Sequence, residues 1–199
     1  AIAAIEKQFF SERELSLRHM SRLIDLGLDH DSIVIFDRGY YSAEIYEEWY
    51  TAGCKVLMRL KRPNALCELD SDDAVTYITA PNGSKVPCRV LKCTLSTGEI
   101  EYLITNVMDK SLTADSFGEL YFYRWKVETK YLEIKEHWQI EEFTGTGALA
   151  VRQDFYIIML QSNLASFIKC QADAIIGRSA RSENTYEYRA RRTYIIGKV

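Results

Sequence analysis

Two short apolar runs on either side of a helical segment constrain the fold most strongly. Ile33–Phe36 is an unbroken apolar run, which is typical of a strand buried on both faces. Ser42 is the expected N-cap of a helix through about Ala52, Gly53 ends it, and Cys54–Leu60 is the next strand candidate. A strand, a helix and a second strand in this order predict an α/β fold in which the two strands are parallel and adjacent or nearly so.

The remaining elements divide the chain into four predicted regions. Ser11 and Glu14 form a capping-box pattern ahead of a first helix, so residues 1–60 read as helix, strand, helix, strand. Within residues 61–111, turn signals separate β-prone runs at 75–79, 86–94 and 100–105, which predicts an antiparallel meander. Residues 112–170 are predicted to be helical, with one helix through about Trp138 and an apolar one at about 148–168. Residues 171–199 form a basic tail.

One predicted helix carries a spaced set of polar residues, Tyr121, Arg124, Glu128 and Lys135, in the pattern Y-x2-R-x3-E-x6-K. On one continuous helix, at about 100° per residue, they fall within an arc of roughly 60°. A carboxylate that can bind a metal beside cations that can bind phosphates suits phosphodiester chemistry. The alternative is a solvated charged face with ion pairs inside the helix.

An apolar stripe runs beside this charged face and is expected to pack on the core. Its members are Leu120, Tyr123, Val127, Tyr131, Ile134 and Trp138. Trp125 lies on the other flank, where stacking on a nucleic-acid base is a second possibility.

Asp37 follows the first predicted strand directly, and ligand sites in open α/β sheets lie at such strand ends. Gly39 is expected to permit a sharp turn through a positive φ. The alternative role for Asp37, capping the next helix, already suits Ser42. If the helix of Glu128 packs near this strand end, Asp37 and Glu128 could share divalent metal ions.

Composition excludes several classes of protein. A net charge of −3 and a pI of about 5.7 argue against binding nucleic acid over the whole surface. A local basic stretch near the C-terminus could still bind nucleic acid, and the alternative is a solvated tail. The stretch contains Arg178, Arg181, Arg189, Arg191 and Arg192.

The 5 cysteines form no CxxC pair and the 3 histidines have no metal-ligand spacing, which argues against a disulfide scaffold or a zinc site. The simplest account is a cytoplasmic protein with reduced thiols, without a signal peptide or a membrane span.

Three blocks together resemble the DDE transposases of bacterial insertion sequences, in the branch with a Y-R-E-K signature. The blocks are 35–40 (Ile-Phe-Asp-Arg-Gly-Tyr), 104–107 (Ile-Thr-Asn-Val), and the spaced motif from Tyr121 to Lys135. The resemblance extends over about residues 10–170 and follows the order of the family: an aspartate at a strand end, a β-rich insertion, then a glutamate on a helix.

The resemblance implies an RNase H-like fold with an inserted antiparallel β-rich region between the second catalytic aspartate and the glutamate helix. It implies Mg²⁺-dependent cleavage and joining of double-stranded DNA at transposon ends, with Mn²⁺ as a substitute, by a homodimer that pairs two ends. Asp37 then matches the second catalytic aspartate and Glu128 the catalytic glutamate, both as metal ligands. Tyr121, Arg124 and Lys135 match the residues that hold DNA phosphates.

The chain departs from this pattern before Asp37. The family places its first catalytic aspartate on an early strand, but Asp25, Asp29 and Asp31 lie at a helix end or in a turn. We therefore expect a fragment of the catalytic domain that is inactive alone.

Two other functions remain open. The first is a non-catalytic remnant that binds DNA or intact transposase, and the second is a PD-(D/E)xK-type nuclease that uses Asp37 with Glu133 and Lys135. The nuclease is disfavoured because its E-x-K pair belongs on a strand, whereas residues i and i+2 of a helix diverge by about 200°.

Overall fold

The computed structural model describes residues 11–28, 31–179 and 188–198, so Asp29 and Arg181 lie outside the described residues. The described residues divide into two compact units, with the division between Lys126 and Val127. We call these the sheet unit and the helical unit. Within the described ranges, no helix combines the length and apolarity needed to cross a membrane.

The sheet unit contains five strands and three α-helices. In chain order these are α1 (Glu12–Asp25), β1 (Ile33–Phe36), α2 (Ala43–Thr51), β2 (Lys55–Arg59), β3 (Asp73–Thr79), β4 (Lys85–Thr94), β5 (Ile100–Thr105) and α3 (Ala114–Phe122). Two short 3₁₀-helices lie at Arg38–Tyr40 and Ala65–Glu68. The other helices are α4 (Trp125–Trp138), which begins at the end of the sheet unit, α5 (Ala148–Ser179) and α6 (Arg192–Ile196).

The five strands form one mixed sheet in the order β1-β2-β5-β4-β3. β1 and β2 are parallel, with Ile33 opposite Lys55, which confirms the predicted βαβ unit. β3, β4 and β5 form the predicted antiparallel meander. β5 also pairs antiparallel with β2, with Leu57 opposite Thr105, so the meander continues the sheet of the βαβ unit. The protein is therefore a mixed α/β structure.

Each face of the sheet is covered by helices. Val56 and Met58 of β2 pack with Trp49 of α2 on one face, where α1 also contributes partly buried side chains. The intervening Leu57 packs with Phe117 of α3 on the opposite face. Because side chains alternate along a strand, β2 supplies both cores, which explains why its three central residues are all apolar.

Three local expectations about caps and turns have different outcomes. Ser42 caps α2 as predicted, accepting a hydrogen bond from the Ile45 amide at 3.1 Å. Ser11 occupies the N-cap position of α1, but its side chain makes no capping hydrogen bond, so the capping box is not formed. The chain turns sharply at Gly39 as predicted, but Gly39 does not have a positive φ. The chain turns instead through a 3₁₀-helix, in which the Tyr40 amide donates to the Asp37 carbonyl at 3.0 Å.

The prediction of one continuous helix through residues 112–138 is wrong. α3 ends at Phe122 and α4 begins at Trp125. Between them, the amides of Tyr123 and Arg124 donate to carbonyls three residues back, at 3.1 and 3.0 Å. These i→i−3 bonds belong to a 3₁₀ turn, which changes the angular phase between the two helices. The arc calculated for the four motif residues therefore does not apply across the break.

The prediction that the apolar stripe packs on a core is wrong for three of its six members. Ile134 is buried and Leu120 packs against the second core, but Tyr123, Val127 and Tyr131 are exposed. The break at residues 123–124 interrupts the period between Tyr123 and the later members, whereas Val127 and Tyr131 lie on α4 with the buried Ile134 and are exposed on that helix itself.

A buried arginine joins β4 to the segment that leads into α3. Arg89 is 0% exposed and donates from Nε and Nη2 to the two carboxylate oxygens of Asp73, at 2.7 and 2.8 Å. Its Nη1 and Nη2 also donate to the carbonyls of Asp109 and Leu112, at 2.7 and 2.8 Å. The guanidinium thus satisfies acceptors from β3 and from the loop after β5, and its own burial is compensated by hydrogen bonds.

Replacing Arg89 with Met should lower the free energy of unfolding by about 3 kcal/mol, because three acceptor groups lose their donor. Lys110→Met is the matched control, since Lys110 also binds Asp73, at 2.8 Å, but its side chain is 54% exposed. The control should cost less than about 1 kcal/mol. Urea unfolding followed by circular dichroism measures both, and equal losses would contradict the role assigned to Arg89.

The same ion pair predicts a dependence of stability on pH. The hydrogen bond from Arg89, followed by that from Lys110, lowers the pKa of Asp73 from 3.8 to about 2 against the opposing effect of burial. Because the folded pKa is the lower one, the stabilisation is complete above pH 3.8 and is lost as the pH falls toward 2. The urea concentration at the midpoint of unfolding should fall less steeply with decreasing pH in Asp73→Asn than in the wild type. Asp72→Asn changes a carboxylate that is 84% exposed and should leave this pH dependence unchanged.

Candidate functional site

The candidate site begins at Asp37, the residue that follows β1. Asp37 occupies the N-cap position of the short 3₁₀-helix, yet its side chain makes no capping hydrogen bond. Because Ser42 caps α2, the Asp37 carboxylate has no capping role in either helix. Its side chain is 53% exposed and faces Arg124.

The turn between α3 and α4 brings two motif residues to this carboxylate. Arg124 Nε lies 3.5 Å from Asp37 Oδ1, and the arginine side chain is only 13% exposed. The Arg124 Cζ lies 5.9 Å from the ring centroid of Tyr121 and 5.0 Å from that of Trp125. The guanidinium is thus held by two aromatic rings beside a carboxylate, an arrangement that favours its planar charge.

The helix break accounts for this arrangement. In a 3₁₀ turn, side chains at i and i+3 eclipse, so Tyr121 and Arg124 point in nearly the same direction. On a continuous α-helix they would diverge by about 60°. Residues three apart are neighbours in either helical form, and the 3₁₀ turn aligns the first two members of the spaced motif more closely.

Tyr121 contributes a buried phenol to this cluster. The residue is 3% exposed and packs in the second core, and its hydroxyl is buried with no hydrogen-bond partner among the described residues. Burial, and then the charge of Asp37, raises the pKa of Tyr121 to about 12, although Arg124 opposes the shift. The hydroxyl therefore remains protonated at neutral pH and is a hydrogen-bond donor.

The other two predicted site residues lie on α4 in the helical unit. Glu128 and Lys135 are both exposed, and seven residues of α-helix place them within about 20° of each other on one face. The Lys135 ammonium lies 3.0 Å from the carboxylate of Glu141, and both side chains are more than half exposed. The pairing of Glu128 with Asp37 stays a prediction.

Among the described residues, no three carboxylate, histidine or cysteine side chains gather in a group that could hold a metal ion. Asp37 offers hard oxygen ligands of the kind that Mg²⁺ prefers, but the groups beside it are a phenol and a guanidinium. The cluster of Asp37, Tyr121 and Arg124 is suited to an anion more than to a cation, because it presents two donors.

The block at residues 104–107 proves to be structural. Asn106 extends the pairing of β5 with β2, accepting from the Val56 amide at 2.8 Å and donating to the Cys54 carbonyl at 2.7 Å. The Thr105 hydroxyl donates to the Val56 carbonyl at 2.6 Å. These side chains hold β2 and β5 together beyond the last regular pair. Polar residues at the end of a predicted strand are the sequence signal that could have indicated this role.

The structure disfavours the nuclease reading of Glu133 and Lys135. Both lie on α4, whereas that reading needs them on a strand. The Glu133 side chain is 11% exposed and accepts hydrogen bonds from Lys130, at 3.0 Å, and Arg192, at 2.8 Å. Its carboxylate is therefore already neutralised by two cations.

Comparisons with known proteins support a single family. The model of the family described as Transposase DDE domain matches residues 12–164. Over 174 residues the chain is 25% identical to "Transposase InsG for insertion sequence element IS4" of Escherichia coli (strain K12), covering 79% of this chain and 38% of that protein. Over 157 residues it is 27% identical to "Putative transposase y4zB" of Sinorhizobium fredii (strain NBRC 101917 / NGR234), covering 68% of this chain and 42% of that protein. The chain thus spans about two fifths of the length of these curated relatives.

Removing the Tyr121 hydroxyl should not weaken the fold. Tyr121→Phe deletes a buried group without a partner, so the free energy of unfolding should stay level or rise by about 1 kcal/mol. Tyr46→Phe is the matched control, because the Tyr46 hydroxyl donates to the Pro87 carbonyl at 3.2 Å and its loss should cost about 1 kcal/mol. Urea denaturation of both variants is the measurement. Equal destabilisation would mean that the Tyr121 hydroxyl has a partner in the folded protein.

Proposed function

This chain belongs to the transposase DDE domain family, and from that premise we propose that it is part of the catalytic domain of an insertion-sequence transposase of the Y-R-E-K branch. Transposases of this family transfer phosphoryl groups on DNA. The observation that carries the proposal is the cluster of Asp37, Tyr121 and Arg124, within the matched residues, where two donors stand beside an aspartate at a strand end.

The residues of the cluster have complementary roles in this proposal. Arg124 is permanently charged and forked, so it binds a DNA phosphate once the Asp37 carboxylate turns to another partner. The Tyr121 hydroxyl, protonated and without a partner among the described residues, donates to the same phosphate. Lys135 contacts the DNA backbone as a point charge. The DNA substrate is double-stranded and includes the transposon ends and the target. The enzyme acts in the bacterial cytoplasm, and it is a homodimer when two ends are paired.

We propose Asp37 and Glu128 as carboxylate ligands of a divalent ion, Mg²⁺ with Mn²⁺ as a substitute, in an RNase H-like catalytic fold. The parallel β1–β2 pair followed by antiparallel strands supports that fold. Since no group of three candidate ligands exists among the described residues, a complete centre needs a further acidic residue. We therefore propose that this chain does not cleave DNA alone.

A second candidate function is non-catalytic: the chain binds DNA, or intact transposase, without cutting. The same lack of a three-ligand group among the described residues favours it. The two candidates differ in whether a catalytic aspartate is encoded ahead of Ala1.

The first test reads the DNA upstream of the codon for Ala1. We expect an in-frame extension with an aspartate at the end of a predicted strand, and Mg²⁺-dependent strand cleavage by the extended protein. Asp37→Asn and Glu128→Gln should each reduce that cleavage about a thousandfold, equivalent to about 4 kcal/mol of activation free energy. Glu136→Gln, an exposed glutamate on the same helix, is the control and should retain the rate. A stop codon immediately upstream, or cleavage that survives Asp37→Asn, would refute the catalytic proposal.

A further inference from the structure

The segment of residues 188–198, here called the C-terminal segment, differs from the rest of the chain in charge. Its sequence is Tyr-Arg-Ala-Arg-Arg-Thr-Tyr-Ile-Ile-Gly-Lys, with four cationic residues and no acidic one, in a chain of net charge −3. It lies beyond residue 164, where the match to the family ends.

The C-terminal segment is docked on the helical unit. Its helix, α6, packs against α5, and Ile195 of α6 is only 8% exposed. The Ala190 amide donates to Asp173 Oδ1 of α5 at 2.7 Å. A backbone hydrogen bond and a buried isoleucine thus hold two points of the segment.

An ion-pair cluster supplies a third anchor and reaches α4. Arg192 Nη2 donates to Glu133 Oε1 at 2.8 Å and to the Ser166 hydroxyl of α5 at 2.9 Å. Lys130 binds the same two acceptors, at 3.0 and 3.2 Å. Ser162, whose carbonyl also accepts from Lys130, is 0% exposed. We call Lys130, Glu133, Ser166 and Arg192 the clasp.

The clasp uses the side of α4 away from the proposed site residues. Counted from Glu128 at about 100° per residue, Glu133 lies at about 140° and Lys130 at about 200°, whereas Lys135 lies within about 20°. The clasp thus joins α4, α5 and α6 and leaves the face with Glu128 and Lys135 uninvolved.

Cations and tyrosines alternate on the exposed part of the C-terminal segment. Tyr188 and Tyr194 are 61% and 69% exposed, and Arg191 and Lys198 are exposed as well. The Lys198 ammonium lies 5.8 Å from the ring centroid of Tyr194. Cations neutralise DNA phosphates and tyrosine hydroxyls donate to them, so this surface complements a nucleic-acid backbone in charge and in hydrogen bonding.

We propose that the C-terminal segment is a second DNA-contact surface, which binds the phosphate backbone of duplex DNA without sequence preference and is held in place by the clasp. The inference rests on the proposed function only in that the partner is DNA. Arg192 and Ile195 anchor the surface, while Arg191, Tyr194 and Lys198 contact the phosphates.

The test measures binding of the full chain to a fluorescent duplex of random sequence by anisotropy at several NaCl concentrations. Each phosphate contact adds about 0.9 to the slope of log K against log salt, so Arg191→Ala with Lys198→Ala should lower that slope by about 2. Arg191→Lys with Lys198→Arg should retain it. Lys61→Ala with Lys85→Ala, two exposed lysines of the sheet unit, removes the same charge and is the matched control. An unchanged slope in the first variant, or an equal fall in the control, would overturn the proposal.

A variant of the clasp separates positioning from net charge. Glu133→Gln removes one negative charge, so charge alone would tighten DNA binding. Loss of the anchor predicts the opposite, weaker binding with a smaller salt slope, because the segment is no longer held against α5. Glu136→Gln, with the same charge change on an exposed residue of α4, should bind as tightly as the wild type or more tightly. Tighter binding by Glu133→Gln would refute the clasp.

These outcomes are independent of the proposed catalytic role. Asp37→Asn could abolish cleavage in the extended protein while Arg191→Ala with Lys198→Ala leaves the slope of log K against log salt unchanged. In that case only the second surface is refuted. If the slope falls as expected and no extended protein cleaves DNA, the surface stands and the catalytic proposal fails.

Discussion

The buried guanidinium of Arg89 is the interaction on which the geometry of the sheet unit depends. It binds Asp73 on β3 and the carbonyls of Asp109 and Leu112, which lie directly before α3. Its Cζ also lies 5.5 Å from the ring centroid of Phe117, so the same group contacts α3 itself. Arg89 therefore fixes the position of the first turn of α3. Tyr121 in the last turn of this helix, and Arg124 just after it, are placed accordingly. The candidate site follows from a charge buried at the opposite end of the helix.

The site combines two effects of opposite sign on stability. The Tyr121 side chain gains about 4 kcal/mol if about 150 Å² of its surface is removed from water, while a buried hydroxyl without a partner costs about 1–3 kcal/mol. The apolar gain exceeds the polar cost, so the ring holds the hydroxyl in place despite its missing partner. Such a local conflict between apolar burial and a missing hydrogen bond is expected at functional sites.

Local signals predicted the secondary structure well, and long-range contacts explain what they missed. The parallel β1–β2 pair and the Ser42 cap follow from residues within one βαβ unit. The break at residues 123–124 has no Pro or Gly to announce it, and Tyr, Arg and Trp are compatible with either helical form. Nor could the sequence show that Arg89 is buried, since its partners lie 16 to 23 residues away along the chain. Of the predicted site residues, Asp37, Tyr121 and Arg124 lie close together, but a continuous helix would have given a different angle between the last two.

The helix α4 has one face in contact with α5 and α6 and another that is exposed, and substitutions on the exposed face are expected to cost little stability. Lys130 and Glu133 share buried or half-buried partners on α5 and α6, so substitutions there disturb three helices together. Glu128 and Lys135 lie on the exposed face, and surface charges of this kind contribute less than about 1 kcal/mol to folding. A charged residue with so small a structural role has little reason to be restricted by folding. If Glu128 and Lys135 tolerate few substitutions in an active transposase, the restriction must therefore come from what they bind.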